Sequence, residues 1–285
     1  MKMSKETATS KLLQDFSKMF LDAYDRPARL VPALLAITPI PVLIVCLFDS
    51  ANVIGTSVVS VLGYCGVGFG LARFARNAGK RKQDELFAKW GGAPTTQMLR
   101  YSNKHFDQIT KERYHNVLSK GIGHQLPATL QDEQANPEAA DDLYRAATNW
   151  LIGQTRDQKK FPLVFKENIA FGFHRNALGV RWYGVTIAFL CLLISLVHTK
   201  VLNLSYPYFD WRHIGELGTL AYLNLVVSGV LLIAWLFWFN EAAAKHAGFA
   251  YAERLMQSCD QLKSPPAAKP ATDPKPAKKP RQKKT

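Results

Sequence analysis

Four stretches of the chain are long, apolar and free of Asp, Glu, Lys and Arg, and they come in two pairs. The first pair covers residues 30–48 and 50–72, separated only by Asp49, and the second pair covers residues 182–199 and 217–240. An apolar run of about 20 residues crosses the hydrocarbon core of a bilayer as a helix. The pattern predicts an all-α membrane protein with two transmembrane helical hairpins, four spans in total, and a mostly helical cytoplasmic domain between them.

Basic residues crowd one end of these runs and indicate the orientation of the spans. They are Arg26 and Arg29 before the first run, Arg73, Arg76, Lys80, Arg81 and Lys82 after the second, and Arg175 and Arg181 before the third. Lys and Arg are retained on the cytoplasmic side during insertion. We therefore expect both termini and the long middle segment to be cytoplasmic.

Composition divides the rest of the chain. Residues 1–28 have apolar positions at helical spacing and predict an amphipathic helix, which lies on the inner leaflet or packs on the cytoplasmic domain. Residues 161–179 are aromatic and apolar with interspersed charges, and they predict either an interfacial elbow helix or a core helix of that domain. The predicted segments are 1–28, hairpin 29–74, cytoplasmic domain 75–160, elbow 161–179, hairpin 180–240, cytoplasmic helix 241–262 and tail 263–285.

The tail from residue 263 to residue 285 carries eight Lys and Arg residues against Asp273 alone, within a formal net charge of +14 for the chain. Its Pro-, Ala- and Lys-rich composition cannot bury a core, so we expect disorder. Basic segments next to a membrane are attracted to anionic lipid. Lipid is favoured over nucleic acid as the partner because nothing here supplies base-reading structure.

Local signals place the helices of the cytoplasmic domain. The second span continues to Trp90, where Gly91 and Gly92 predict a turn. A helix is expected over residues 106–120, ended by Gly121 and Gly123. Asn136 followed by Pro137 is typical of an N-cap and a first helical position, so another helix starts there.

Proline and glycine predict how the spans bend and pack. Pro32, Pro39 and Pro41 each remove a backbone donor from the first span, so we expect it to be bent. Glycines of the second span let another helix approach closely, within one subunit or in a homo-oligomer. The predicted packing residues are Gly63, Gly66 and Gly70.

No catalytic motif of good specificity is present, so an enzyme, a cofactor and a metal are not expected. His105 and His115 could be imagined as a metal site, but a solvated helix face explains them better. The spans lack ionisable groups, which argues against a proton-coupled carrier and leaves a pore open. Hydroxyl and amide residues of the spans either line such a pore or join helices, among them Ser195, Asn224 and Ser228.

Several short motifs of the middle segment form a recognisable series. They are Trp90-Gly91-Gly92-x-Pro94-Thr95-Thr96-x-x-Leu99-Arg100, Thr110-Lys111-x-Arg113-Tyr114-His115, Thr155-Arg156-Asp157 and Glu167-Asn168-x-x-Phe171-Gly172-Phe173-x-Arg175-Asn176. The series resembles a family of uncharacterised bacterial inner-membrane proteins. The four-span architecture is similar to that of pore-forming effectors of bacterial conflict systems, including anti-phage defence. This likeness implies a membrane-permeabilising oligomer in the bacterial inner membrane.

The leading functional expectation is a non-enzymatic effector or channel-like protein that opens or disrupts the membrane when its cytoplasmic domain senses a ligand or partner. A signalling protein and a nucleotide both remain candidate partners. The residues predicted to sense them are Trp90, Arg100, Arg113, His115, Glu167, Asn168, Arg175 and Asn176. The alternatives are a membrane-anchored scaffold without conductance and a membrane-bound enzyme with an unrecognised site.

Overall fold

The structure is a computed structural model that describes residues 22–47 and 57–262, with the backbone alone for residues 57–67. The predicted amphipathic helix up to residue 21, the linker at residues 48–56 and the basic tail lie outside these residues. The helices are α1 (Arg26–Leu47), α2 (Ser57–Trp90), α3 (Pro94–Leu99), α4 (Gln108–Ile122), α5 (Leu130–Ala135), α6 (Pro137–Gln154), α7 (Pro162–His198), α8 (Thr219–Trp238), α9 (Glu241–Gln257) and α10 (Cys259–Leu262).

The described part of the chain is all-helical, with one isolated antiparallel bridge between Leu202 and Phe209 in place of strands. Three helices are long and apolar enough to cross a membrane, namely α1, α7 and α8. The second apolar run of the sequence enters the described residues at Ser57 and forms the first half of α2. Within the described residues the chain is therefore all-helical, with three helices that could span a membrane.

Helix α1 is irregular where its prolines predict irregularity. It starts with a π-helical turn at Arg26–Leu30 and is interrupted at Thr38, directly before Pro39. The carbonyl of Leu34 accepts both the backbone N–H of Thr38 at 2.9 Å and its hydroxyl at 2.8 Å.

The two longest helices are α2 with 34 residues and α7 with 37 residues. At 1.5 Å per residue α7 is about 55 Å long, well beyond the roughly 30 Å of a hydrocarbon core. Residues 161–179 do not form the separate elbow helix expected from the sequence, because they are the first half of α7. The glycines in this segment do not interrupt the helix. They allow close packing instead, since Gly172 lies against Tyr24 and Ala28.

Helices α3 to α6, α9, α10 and the first turn of α7 form a compact polar unit, called here the helical cap. Its core contains Leu99, Tyr114, Leu118, Leu126, Ala140, Tyr144, Ala147, Leu151, Phe161, Val164, Leu255, Met256 and Cys259. Burial of these apolar side chains is the main force that holds the short helices together.

The helix ends of the helical cap follow the sequence signals. The Asn136 side chain accepts from the backbone N–H of Ala139 at 3.1 Å and caps α6. Asp107 caps α4 by accepting from the N–H of Thr110 at 2.9 Å, so this helix begins at Gln108 rather than at residue 106. Gly123 ends it in the left-handed conformation at φ +69°.

Candidate functional site

A cavity of about 290 Å³ lies where the helical cap meets α2 and α7. Five helices contribute to its walls: α2, α3, α6, α7 and α9. Its lining residues are Gln83, Phe87, Ala93, Pro94, Thr95, Thr96, Arg145, Thr148, Asn149, Ile152, Phe171, Gly248 and Tyr251. A mostly apolar concavity with a few convergent polar groups is the usual form of a small-molecule site.

Three aromatic rings form one wall of this pocket. The planes of Phe87 and Phe171 lie within 5° of parallel with centroids 6.3 Å apart, and the planes of Phe171 and Tyr251 lie within 3° at the same distance. Burial raises the pKa of Tyr251 to about 12, so its hydroxyl stays neutral at physiological pH. The wall is therefore uncharged and presents ring surface.

One face of α6 supplies most of the polar groups. Arg145, Thr148, Asn149 and Ile152 follow one another at spacings of three, one and three residues, which places them on the same side of a helix. Arg145 is paired with Asp142, but both side chains are largely exposed. Thr148 is buried, and its hydroxyl has no hydrogen-bond partner among the described residues. A buried hydroxyl without a partner is costly, so it is a natural contact for a bound molecule.

The turn after Trp90 brings α3 to the pocket. Gly91 and Gly92 have φ of +81° and +125°, a conformation that other residues rarely adopt. The Gln97 amide donates to the carbonyl of Gly92 at 2.7 Å, and the Arg100 guanidinium donates to the carbonyl of Gly91 at 2.8 Å. The glycine turn is thus fixed by the helix that follows it, and it places Pro94, Thr95 and Thr96 in the pocket wall.

Arg100 also joins α3 to α6. Its Nε and Nη2 donate to the two carboxylate oxygens of Asp141 at 2.9 and 2.6 Å. This hydrogen bond to Asp141 is the main cause of the raised pKa of Arg100. Bidentate pairs of this kind fix geometry as well as adding stability. Arg100 is therefore a positioning residue beside the pocket.

A second polar network lies deeper in the helical cap, around the buried carboxylate of Glu133. It accepts from the backbone N–H of Tyr101 at 2.7 Å and from the hydroxyl of Tyr144 at 2.8 Å. Burial, followed by the hydrogen bond to Glu133, raises the pKa of the Tyr144 hydroxyl, so Tyr144 stays a donor. Lys111 is buried nearby, and its ammonium donates to the backbone carbonyls of Arg100, Tyr101 and Asn103.

His115 belongs to this network and corrects the expectation of a solvated helix face. The side chain is only 5% exposed, with Nε2 2.8 Å from the carbonyl of Leu99 and Nδ1 3.4 Å from that of Pro127. Desolvation lowers its pKa, which keeps the imidazole neutral. The expectation was wrong because His115 lies on the buried side of α4, against the ring of Tyr144 on α6 and the carbonyl of Leu99 on α3, whereas the exposed side of the helix is formed by other residues, among them Glu112 and Asn116.

The structure does not bring the eight predicted sensing residues together. Arg100 and His115 lie in the helical cap, Arg113 pairs with Asp260 on α10 at 3.1 Å, and Trp90 packs beside Phe87. The other four, Glu167, Asn168, Arg175 and Asn176, follow one another along α7. None of the eight lines the pocket.

Two of these α7 residues connect helices. The Arg175 Nη1 donates to the Gln83 side chain on α2 at 2.7 Å. The Asn176 amide donates to the carbonyl of Ala28 on α1 at 2.7 Å. The residue four positions after Ala28 is Pro32, which has no N–H, so Asn176 satisfies a carbonyl that the proline leaves open.

The sequence did not predict the pocket, but some of the pocket residues could have been found from motif membership or from a shared helix face. Pro94, Thr95, Thr96 and Phe171 all belong to the motifs quoted above, and the α6 residues share one helix face. Gln83, Gly248 and Tyr251 come from distant parts of the chain. Only the tertiary fold shows that they meet.

Helices α1 and α8, the first half of α2 and the second half of α7 form the apolar half of the molecule. Exposed aromatic side chains cluster at two heights along these helices, called here the two levels. One level contains Trp182, Tyr183, Phe237 and Trp238, and the other contains Tyr206, Tyr208, Trp211 and Tyr222. On α8 the two levels are 16 residues apart, about 24 Å along the helix axis. Trp and Tyr are enriched at the two membrane interfaces. These levels therefore match the edges of a hydrocarbon core.

Polar side chains are buried between α7 and α8 within this apolar half. Ser195, Asn224 and Ser228 are fully buried, and the Ser228 hydroxyl lies 3.3 Å from the Asn224 side-chain oxygen. This hydrogen bond lies within α8, and the Ser195 hydroxyl and the Asn224 amide nitrogen have no partner among the described residues, so hydrogen bonding between helices stays a prediction for them. Of the predicted packing glycines, Gly63 and Gly66 have no described side-chain surroundings, and Gly70 faces open space in the monomer.

Within residues 22–47 and 57–262, no group of three or more His, Cys, Asp or Glu side chains is placed to hold a metal ion. The described residues form an all-helical fold with three helices that could span a membrane and a ligand-sized pocket in its polar part. Comparison of the chain with protein-family models, with curated proteins and with solved structures finds no match.

Proposed function

We propose that the chain is a four-span effector of the bacterial inner membrane that opens or disrupts the bilayer when a small ligand occupies the pocket. The observation that carries the proposal is the continuity of two helices. Gln83 and Phe87 on α2 and Phe171 on α7 line the pocket, and both helices run without a break into the apolar half. A change in the pocket wall therefore acts directly on two membrane helices.

The packing between α2 and α7 supports this coupling. A Cβ atom on Gly179 would lie 2.6 Å from the carbonyl carbon of Ala78, so the two backbones touch. This contact lies eight residues from Phe171, about 12 Å along α7. Packed elements that have two discrete arrangements carry coupling between sites. Ligand binding would shift the equilibrium between two arrangements of the packed pair α2 and α7.

The distribution of charge and aromatic residues supports the orientation. Basic residues crowd the ends of the apolar helices that adjoin the helical cap, which supports a cytoplasmic location for the cap and its pocket. Both termini follow on the same side if the first two apolar runs form a hairpin. The lipid-facing surfaces of α7 and α8 are free in the monomer, so they leave room for a homo-oligomer.

The test is controlled expression of the full chain in a bacterium with a potential-sensitive dye in the medium. An effector that opens the membrane depolarises the cells and stops growth at a protein level that a control four-span protein tolerates. The purified chain in dye-loaded liposomes should then release dye. Normal potential and intact liposomes at that level would favour the scaffold instead, and plaque counts on expressing cells test a role in anti-phage defence.

A further inference from the structure

We infer that the pocket binds a flat ring compound, neutral or singly negative, with hydrogen-bond acceptors on its edge. A bicyclic aromatic acid is the representative of this class. The inference deepens the proposed function, because it names the kind of ligand that the same pocket would sense.

Size and wall shape favour a flat ligand. The volume of about 290 Å³ lies at the lower end of the range for small-molecule sites. Phe87, Phe171 and Tyr251 have nearly parallel ring planes, so they form a wall with one common orientation. Aromatic rings prefer offset-stacked or edge-to-face contact with another ring. A flat ring can meet such a wall in either way, whereas a puckered ring gains neither.

Charge favours a ligand that accepts hydrogen bonds. No Asp or Glu is among the lining residues, and Arg145 is the one cation among them. The Gln83 oxygen already accepts from Arg175, so the amide N–H groups of Gln83 are the part left for a ligand. The unpartnered hydroxyl of Thr148 adds a further group. A carboxylate or carbonyl at the ligand edge satisfies such donors.

Gly248 offers a way to close the pocket without touching its polar groups. A Cβ atom there would lie 3.2 Å from a ring carbon of Phe171 and 3.4 Å from Pro94. The branched side chain of a Gly248→Val variant would therefore fill space beside the aromatic wall. Gly153 on α6 has nothing within 4 Å of its Cβ position. Gly153→Val is the matched control, since it makes the same substitution in a helix at an open site.

The experiment measures binding to the full chain in detergent micelles by titration calorimetry, with empty micelles as the blank. The probes are indole-3-carboxylate, indole, which keeps the flat ring but lacks the acceptor on its edge, and cyclohexanecarboxylate, which keeps the acceptor but has a puckered ring. We expect saturable binding of the two flat probes, with the flat acid at least tenfold tighter than the puckered acid. Gly248→Val should remove this binding and Gly153→Val should retain it.

Arg145→Gln gives a second measurement that does not depend on core packing, because Arg145 is exposed. It should weaken the flat acid about tenfold, the value of one charge-assisted hydrogen bond, and leave indole unchanged. Three results would overturn the inference: no saturable binding of either flat probe, equal binding of the puckered acid, or full binding by Gly248→Val. Calorimetry measures binding and not ion flux. Saturable binding of the flat probes together with a normal membrane potential in expressing cells would therefore count against the proposed function alone.

Discussion

Gly79 on α2 and Gly179 on α7 meet backbone to backbone. A Cβ atom built on Gly179 would lie 2.7 Å from the Cα of Gly79 and 2.6 Å from the carbonyl carbon of Ala78. Real side chains do not tolerate such distances, so glycine is required for this crossing. Close backbone approach at small residues is a common device for packing helices in membranes.

The first prediction concerns this contact. Gly179→Ala should destabilise the protein by about 2 kcal/mol, the typical cost of overpacking, despite the better helix propensity of alanine. The thermal unfolding midpoint in detergent, followed by circular dichroism, measures the loss. Gly229→Ala on α8 is the control, because nothing lies within 4 Å of its Cβ position. An unchanged midpoint for Gly179→Ala would show that α2 and α7 can separate freely.

The second prediction concerns Arg181 and the end of α8. The helix closes with a π-helical segment at Ala234–Trp238, and the Arg181 Nε and Nη2 donate to the carbonyls of Trp235 and Leu236 at 2.9 and 2.7 Å. These two carbonyls lie at a helix end, where backbone acceptors lack helical partners. Lysine cannot reproduce a fork of two parallel donors.

Arg181→Gln and Arg181→Lys should therefore both lower stability, by about 1 to 3 kcal/mol. Thermal unfolding in detergent measures the effect, and Arg156→Gln serves as a control at an exposed loop position. If Arg181→Lys behaved like the wild type, a single positive charge at the interface would be the relevant property rather than the paired hydrogen bonds.

Three of the four predicted spans correspond to helices long enough and apolar enough to cross a membrane, and the caps follow the sequence as well, because both depend on local pattern. Twenty apolar residues indicate a span wherever they occur, and Asn136 before Pro137 caps a helix with atoms only three residues away. His115 could not be predicted, since its partners Leu99 and Pro127 come from segments on either side of α4. The pocket was missed for the same reason: Gln83 and Tyr251 meet only through the tertiary fold.

Arg100 and Asn176 are two of the predicted sensing residues and lie within the motifs quoted above. The structure uses them to satisfy Asp141 and the carbonyl of Ala28. A polar residue next to an apolar segment needs a partner, and the partner is more often the protein's own backbone or carboxylate than a ligand.

The third prediction is a pH dependence of stability from His115. Burial lowers its pKa in the folded state below the ordinary value of 6.5, which applies to the unfolded chain. The folded state therefore binds fewer protons between the two values, so stability is complete above pH 6.5 and falls as the pH drops below it. The neighbouring charges are Lys111, which lowers the pKa further, and Glu133, which raises it.

Thermal midpoints measured at pH 7.5 and pH 5 test this. The difference between the two should shrink in His115→Gln and stay the same in His124→Gln, a change at an exposed histidine. An identical pH difference in the wild type and in His115→Gln would assign the effect to other groups.

The fourth prediction is topology. If the helical cap is cytoplasmic, a reporter fused at Gln261 is active on the cytoplasmic side, and one fused at Ser205, beyond the end of α7, is active on the far side. This predicted orientation rests on the basic residues around Arg73 to Lys82 and on the two aromatic levels at the edges of the apolar half. Paired phosphatase and fluorescent-protein fusions measure both. A Gln261 fusion active outside would reverse the orientation.

The fifth prediction separates packing within a subunit from packing between subunits. Gly70 faces open space in the monomer, on the same helix as Gly79, which is fully packed. Gly70→Leu should change the free energy of unfolding of the monomer by no more than about 0.5 kcal/mol, as surface substitutions do. If Gly70 lies in a homo-oligomer interface, the same change should reduce the oligomeric fraction, because a branched side chain keeps helices apart. Cross-linking in membranes followed by electrophoresis measures that fraction, with Gly229→Leu as the control on another exposed helix face. Unchanged cross-linking of Gly70→Leu would remove this face of α2 from the interface.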